Sequence, residues 1–264
     1  MKSDKSKKWQ YAVVLIIVLG LSPYLSAETL KMGGGDWCPY VCDPKNENGK
    51  EGYLADILRS VFEKEGYMLT IENQAFTRNL KETETGMQHG TIGMYRADAP
   101  DFVFPQTSLG VSVIMFATKK GFSWKYSGVE SLKKIRLGVI KGYDYADKDF
   151  TEYIASQPPE TVTVMTGTAP LERLLKMITM DRIQVVVDDR AVLQYCLLRN
   201  GLENELADAG LMGEESQVYI GFSPAIAESR KYARILSDGV ESLRKTGELN
   251  KIMSKYGMQD WQAK

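Results

Sequence analysis

Short apolar runs alternate with amphipathic helical segments in the second half of this chain. Between residues 135 and 198 the sequence passes three times from an apolar run through a polar turn into a helical pattern. In the clearest unit, Val185, Val186 and Val187 form an unbroken β-branched run, which is typical of a strand covered on both faces and therefore of a parallel sheet. Asp188 and Asp189 follow directly, at the carboxyl edge of the predicted sheet. Because ligands bind at this edge in open α/β sheets, the pattern predicts a binding cleft there.

The first half alternates in the same way, and a long stretch without a helical pattern separates the two halves. Residues 54 to 62 place apolar side chains on one helical face, and Gly66 favours a helix end. Residues 102 to 119 are rich in strand-forming residues, so they are a candidate for a crossing between two domains. Further strands are predicted from 30, at 68–72, 91–95, 136–140, 161–165, 183–187 and 217–223, with helices at 76–88 and from 225 onward.

The amino terminus has the pattern of a secretory signal peptide. Several lysines precede an apolar run at residues 11 to 21, and small residues follow up to Ala27. A run of this length is shorter than the roughly 20 residues needed to span a bilayer. We therefore predict a signal peptide at 1–27 and export across the membrane, with a retained membrane anchor as the alternative. No cysteine follows the apolar run closely, so a lipoprotein is not expected.

Charge and composition narrow the possible ligands. Without residues 1 to 27, acidic side chains outnumber basic ones by four, so nucleic acid is not an expected partner. The single histidine, His89, lies far from Cys38 and Cys42, and no metal site or cofactor is predicted. After export, Cys38 and Cys42 can form a local disulfide, with two free thiols as the alternative. Cys196 falls on the apolar face of a predicted helix and is expected to be buried.

Several segments, in this order, resemble the bacterial periplasmic solute-binding proteins of the amino-acid ABC transporter type, family 3. They are residues 52–57, 101–105, 136–142, 187–191, and 247–249 before 255–257. The resemblance covers residues 28 to 261 and implies an α/β fold with two lobes, the type II periplasmic binding fold. Each lobe would be a mostly parallel sheet flanked by helices. Lobe 1 would comprise 28–117 plus 221–264 and lobe 2 would comprise 118–220, joined by hinge crossings at 117–119 and 219–221.

The resemblance also suggests ligand-binding residues in the second lobe. Asp188 matches the family aspartate that receives an α-ammonium group, with helix capping by Asp188 or Asp189 as the alternative. Helices that begin after Gly142 and Gly167 would offer backbone N–H groups to an anion, assisted by Tyr143 and Thr168.

In the first lobe, Asp36, Trp37 and Tyr40 follow the first strand. The two rings are expected to form an aromatic wall of the cleft or, alternatively, to cover the core of the lobe. Further candidates stand at the ends of the next elements, namely Phe76, Arg78, Tyr95 and Arg96.

The family arginine that grips a ligand carboxylate is replaced in this chain. Its place, a few residues before Asp101 and Phe102, holds Asp98 within a shortened loop. Either Arg78 or Arg96 would then supply the carboxylate contact, with a solvated surface arginine as the alternative for both.

The resemblance implies a non-enzymatic, monomeric receptor. It would capture a small polar solute, an amino acid or a related compound, between the lobes and deliver it to a membrane ABC permease. Two alternatives use the same fold: ligand sensing for a membrane signalling partner, and a dehydratase-like periplasmic enzyme with Asp188 and Asp189 as acids.

Overall fold

Eight strands form the framework of the protein, and a computed structural model describes residues 27 to 262. The strands are β1 (Thr29–Gly34), β2 (Met68–Asn73), β3 (Gly90–Met94), β4 (Gly110–Lys119), β5 (Leu137–Ile140), β6 (Val162–Met165), β7 (Val185–Asp189) and β8 (Leu206–Phe222). The helices are α1 (Tyr53–Phe62), α2 (Phe76–Glu84), α3 (Lys148–Ser156), α4 (Pro170–Thr179), α5 (Arg190–Asn200), α6 (Ser229–Thr246) and α7 (Glu248–Ser254). The predicted signal peptide lies outside the described residues, apart from Ala27.

The sheet order, β2-β1-β3-β8-β4-β7-β5-β6, confirms the predicted α/β class. In the first half, β1 runs parallel to β2 and β3. In the second half, β5 runs parallel to β6 and β7. The long strands β4 and β8 between these groups are antiparallel to each other and to their outer neighbours β7 and β3. Each half is therefore a parallel unit, and the two units are joined through an antiparallel pair.

Helices cover both parallel units, so each lobe has its own hydrophobic core. In the first lobe, α1 buries Leu54, Ile57 and Phe62 against β1, β3 and α6. The second lobe packs α3 on one face of its sheet and α4 and α5 on the other. The valine run of β7 is fully buried and alternates between these two faces, as expected for a strand with helices on both sides.

The chain changes from one core to the other earlier than the predicted boundaries at 117 and 221. On β4, Leu109 precedes the strand in the first core, and Ile114 already belongs to the second. On β8, the change falls between Met212 and Val218. Pairing explains the shift, because β4 lies beside β7 over residues 114 to 118 and so completes the second sheet. Both crossings consequently run through the first residues of β4 and the middle of β8.

Helix α5 packs against both lobes. Leu193, Cys196 and Leu197 lie in the second core, whereas Tyr195 lies in the first. The Tyr195 hydroxyl donates to Glu47 Oε2 at 2.8 Å, and Glu47 is only 6% exposed in its loop. Arg199, one turn further along the helix, contacts both Glu47 and Glu172. This contact between a buried carboxylate and an exposed arginine fixes the end of α5 to the loop of the first lobe.

The Glu47 contact leads to a stability prediction. Glu47→Gln should lower the free energy of unfolding by roughly 1 to 3 kcal/mol, because Arg199 loses its largely buried partner. Urea unfolding followed by circular dichroism measures the change. Glu130→Gln is the matched control, because Glu130 is exposed and pairs with Lys133 at the surface, so it should shift stability by less than about 0.5 kcal/mol. Equal effects of the two substitutions would contradict the assigned role.

Candidate functional site

The loops at the carboxyl ends of β1, β3, β5 and β7 meet where the two lobes face each other. Trp37 and Tyr40 follow β1, Tyr95 follows β3, Tyr143 follows β5, and the aspartates end β7. Within each lobe the parallel strands place these loops on one edge, and the two edges face each other because the two parallel units run in opposite directions. The aromatic and acidic residues predicted for the cleft are therefore grouped by the topology of the sheet.

Two stacked rings form the first-lobe side of this site. Trp37 stacks on Tyr40 with ring centroids 4.0 Å apart, and the edge of Tyr95 faces Trp37 at 6.1 Å. Reciprocal backbone hydrogen bonds between Trp37 and Val41 close the turn, and Cys38 and Cys42 form a disulfide within it. Tyr40 is fully buried in the first core, whereas Trp37 is only partly buried at its margin. The turn thus holds both rings rigidly at the lobe edge.

Asp189 joins the two lobes through hydrogen bonds. Its carboxylate caps α5 by accepting from the N–H groups of Ala191 and Val192 at 2.8 and 3.1 Å. It also accepts from Ser112 Oγ at 2.6 Å, and the Tyr95 hydroxyl donates to Ser112 Oγ at 2.9 Å. The Tyr40 hydroxyl donates to the Val111 carbonyl at 2.6 Å and lies 3.1 Å from Asp189 Oδ1. Asp189 therefore has the capping role and is satisfied by the protein itself.

Asp188, the neighbour of Asp189 in the chain, accepts far fewer hydrogen bonds than Asp189 does. It is 1% exposed, and its Oδ1 accepts from the N–H of Asp189 at 2.7 Å. Tyr143 adds its side chain next to the carboxylate. Burial, together with the charge of Asp189, raises the pKa of Asp188 to about 7, although the hydrogen bonds from the Asp189 N–H and from Tyr143 act in the opposite direction. No positively charged side chain contributes to this shift, so among the described residues the carboxylate has no cationic partner.

Three side chains from two elements surround Asp188. Tyr143 and Tyr145 lie in the loop after β5, and Cys196 lies on α5. Burial, and then the charge of Asp188, raises the pKa of each of these three groups. The Tyr143 side chain also reaches Trp37 of the first lobe. Tyr143 therefore connects the aromatic wall directly to the carboxylate.

The arginines predicted to bind a ligand carboxylate are engaged elsewhere. Arg78 Nε lies 2.8 Å from Glu82 Oε1, and the side chain is 67% exposed. Arg96 stacks over the rings of Phe104 and Tyr219 and donates to the Pro105 carbonyl at 2.8 Å. Neither contacts the aspartates in this structure, which corresponds to the surface alternative for Arg78 and to a structural role for Arg96.

Other predicted contacts lie at the surface. Asp36 and Phe76 are exposed, as are Gly142 and Thr168. The helix predicted to start after Gly142 begins only at Lys148, because Asp147 accepts from the Phe150 N–H and caps it there. The helix near Thr168 begins at Pro170, which has no N–H to offer at that position. Sequence reasoning missed Ser112, although a single polar residue within the apolar run of β4 was a signal for it.

No family model matches this sequence, and no curated protein matches it either. Solved structures match over nearly the whole chain. One is an ABC uptake transporter substrate-binding protein from Streptococcus pneumoniae with bound histidine, at 19% identity, a TM-score of 0.66, and coverage of 89% of this chain and 95% of that one. Another is the L-cystine solute receptor of Neisseria gonorrhoeae in the open form, at 15% identity, a TM-score of 0.65, and coverage of 90% and 96%.

A third similar structure is a histidine kinase sensor domain described as similar to periplasmic binding proteins. It has 20% identity, a TM-score of 0.58, and coverage of 89% of this chain and 98% of that one. The chain has the periplasmic binding protein fold. At these identities the similarity establishes the fold alone. The solved structures that resemble this chain are mainly substrate-binding proteins of amino-acid ABC transporters.

In this periplasmic binding fold, a cavity of about 720 Å³ adjoins the aromatic and acidic site, since Val111 and Ala191, which hydrogen-bond to Tyr40 and Asp189, are among its lining residues. Its lining comes from β4, β8, α5 and residues 253 to 261, and it includes none of the predicted ligand-binding residues. The site at the carboxyl ends of the strands remains the stronger candidate for binding a solute. It combines residues of both lobes with the buried carboxylate of Asp188, which has no cationic partner among the described residues.

Among residues 27 to 262, no helix has the length and apolar character needed to cross a membrane.

The buried carboxylate leads to a pH-dependent stability prediction. The pKa of Asp188 in the folded state is about 7, above its ordinary value of 3.8, so ionisation destabilises the fold as the pH rises from about 4 to 7. Asp188→Asn cannot ionise and should be more stable than the parent at pH 8, by roughly 2 to 4 kcal/mol, with the difference vanishing near pH 4. Chemical unfolding at both pH values measures this.

Asp189→Ala is the comparison for this measurement. It removes the cap of α5 and the acceptor of Ser112, so it should destabilise the protein by about 1 to 3 kcal/mol at pH 4, and by less at pH 8 because burial raises the pKa of Asp189 too. Destabilisation by Asp188→Asn at pH 8 would show that Asp188 is paired within the protein.

Proposed function

We propose that this chain is a solute-binding protein that closes its two lobes on a small polar solute with a positively charged amine. Amino acids and their relatives belong to this class. The proposal depends on one observation, the carboxylate of Asp188, which is buried and has no cationic partner among residues 27 to 262. A buried charge is costly unless it is paired, so an ammonium group of a ligand would relieve this cost.

Closure follows from the division of the site between the lobes. Trp37, Tyr40 and Tyr95 belong to the first lobe, whereas Tyr143 and Asp188 belong to the second. Only a closed form brings all of these groups to the same solute. A solute that binds the closed form more tightly than the open form shifts the population towards it. Movement about the crossings in β4 and β8 would produce this change.

The proposed setting is the periplasm, with delivery of the solute to a membrane ABC permease and no chemical turnover. The predicted signal peptide and the Cys38–Cys42 pair support export, because disulfides persist in oxidising compartments. Neighbouring structures support the transport role, since they include substrate-binding proteins of ABC uptake transporters.

Sensing is the second candidate function. The similarity to a histidine kinase sensor domain favours it, because that domain uses the same two-lobed fold. In that role, the closed form would be recognised by a separate membrane signalling protein. Solute uptake by cells that lack the gene, compared with transcription changes on solute addition, distinguishes the two roles.

Binding is tested with the chain from residue 28 onward. We expect at least one cationic amine in a screen of amino acids, polyamines and small carboxylates to raise the melting temperature and to reduce the radius of gyration in solution scattering. Asp188→Ala should weaken that binding at least tenfold, which calorimetry measures. Lys64→Ala, at an exposed surface pair with Glu248, is the control and should bind normally. Unchanged affinity in Asp188→Ala would show that the carboxylate is not the ammonium site.

The affinity should also depend on pH. With a pKa of about 7, Asp188 is mostly ionised at pH 8 and mostly protonated at pH 6. A ligand cation needs the ionised form, so its affinity should fall about tenfold between pH 8 and pH 6. The groups facing Asp188 are Asp189, Tyr143, Tyr145 and Cys196, and the pKa values of all four are raised. Asp188→Asn should flatten the profile, whereas an unchanged slope in that variant would assign the dependence to another group.

A further inference from the structure

We infer that the solute held between the lobes is an organic cation without a carboxylate, such as a diamine or a polyamine, and not an α-amino acid. This inference rests on the proposed function, because it concerns the same site. An α-amino acid needs donors for its carboxylate as well as an acceptor for its ammonium group. The structure supplies the acceptor and the aromatic lining, but places negative charge where those donors would be required.

Carboxylates dominate the charge around the aromatic rings. Burial and then the charges of Asp189, Asp98 and Asp144 raise the pKa of Tyr95 to about 12. Asp188 and Asp189 act in the same direction on Tyr143 of the opposite lobe. A second carboxylate brought by a ligand would meet this concentration of negative charge, and like charges in a partly buried site repel each other strongly.

At two of the three α-helix starts of the second lobe, the protein's own acids use the backbone donors. Asp147 accepts from the first turn of α3, and Asp189 accepts from the first turn of α5. In the loop after β5, Asp144 accepts from the N–H of Ala146 at 2.8 Å. Helix starts are the usual sites for a ligand carboxylate. Here two of the three starts in this lobe are capped by aspartate, and the third begins at Pro170.

Nearby cations are also engaged or directed elsewhere. Arg78 and Arg96 are held by the contacts described above. In the second lobe, Arg173 donates to the Thr166 carbonyl at 2.7 Å, and Arg190 pairs with Glu215 at 2.7 Å. Lys141 precedes Gly142 and is exposed, and it does not contribute to the pKa shift of Asp188.

Aromatic rings suit an organic cation. The faces of Trp and Tyr attract ammonium groups, and their apolar area accommodates the methylene chain between two amines. Trp37, Tyr95 and Tyr143 lie beside the carboxylates, so a linear amine would be held by the charge of Asp188 at one end and by aromatic rings along its length.

The test uses ligand pairs that differ only in the α-carboxylate: cadaverine with lysine, putrescine with ornithine, agmatine with arginine, and histamine with histidine. Calorimetry on the chain from residue 28 onward gives both affinities in each pair. We expect at least one amine to bind ten times more tightly than its parent amino acid. An amino acid that binds as tightly as its amine, or more tightly, would overturn the inference and leave the proposed function standing.

Two further measurements distinguish metal binding and the absence of any ligand from the expected result. Stabilisation by Ca²⁺ or Mg²⁺ alone, lost in Asp188→Asn, would overturn the organic nature of the ligand. If no amine, amino acid, neutral solute or small carboxylate raises the melting temperature or compacts the protein, both the inference and the proposed function fail.

Asp144→Asn tests the charge directly. Asparagine retains an oxygen acceptor for the Ala146 N–H while it removes the negative charge, and the residue is exposed, so the fold should be retained. We expect the preference for an amine over its amino acid to fall two- to fivefold. Glu130→Gln, which removes an equal charge from a distant surface pair, should leave the preference unchanged. Equal preferences in both variants and the parent would contradict charge exclusion at Asp144.

Discussion

A pair of adjacent buried carboxylates at the end of β7 determines how the two lobes meet. Asp189 is fully used by the protein: it caps α5 and binds Ser112 of the crossing strand, and the Tyr40 hydroxyl of the first lobe lies within hydrogen-bonding distance. Asp188 is equally buried but has one backbone donor and a neighbouring tyrosine. One residue thus supports the architecture, and the next is left with an electrostatic cost that a bound cation can remove.

This division has a consequence for conformational change. A carboxylate whose hydrogen bonds are already made within the protein gains little free energy from a ligand, whereas a carboxylate with few partners gains much more. In the closure that we propose, this difference would give the closed state affinity that an open state lacks, because Trp37 and Tyr143 of opposite lobes meet beside Asp188. Helix α5 adds a second connection between the lobes, because its residues Tyr195 and Arg199 bind Glu47 of the first lobe.

The hydrophobic pattern of the sequence predicted strands and helices well where burial of one or both faces sets the spacing of apolar residues. The valine run of β7, the helix around Leu54 and the grouping of aromatic residues after β1 and β3 all correspond to observed elements. Prediction was weaker where polar residues interrupt the pattern. Strand β8 begins at Leu206, although the sequence predicted it only from 217, because its glycine- and glutamate-rich half is largely exposed and pairs only with β4. Helix α2 likewise ends at Glu84, before the predicted end at 88.

By itself, the sequence determined that strands and helices alternate, that β7 is buried on both faces, and that two carboxylates follow it. These properties depend on side chains a few residues apart, which share a strand or a helical face. Only the tertiary structure decided which aspartate caps the helix, where the chain crosses between the cores, and that Arg78 and Arg96 turn away from the aspartates. Those outcomes depend on neighbours distant in sequence: Tyr40 and Asp189 are 149 residues apart, yet their side chains meet because the carboxyl edges of the two parallel units face each other.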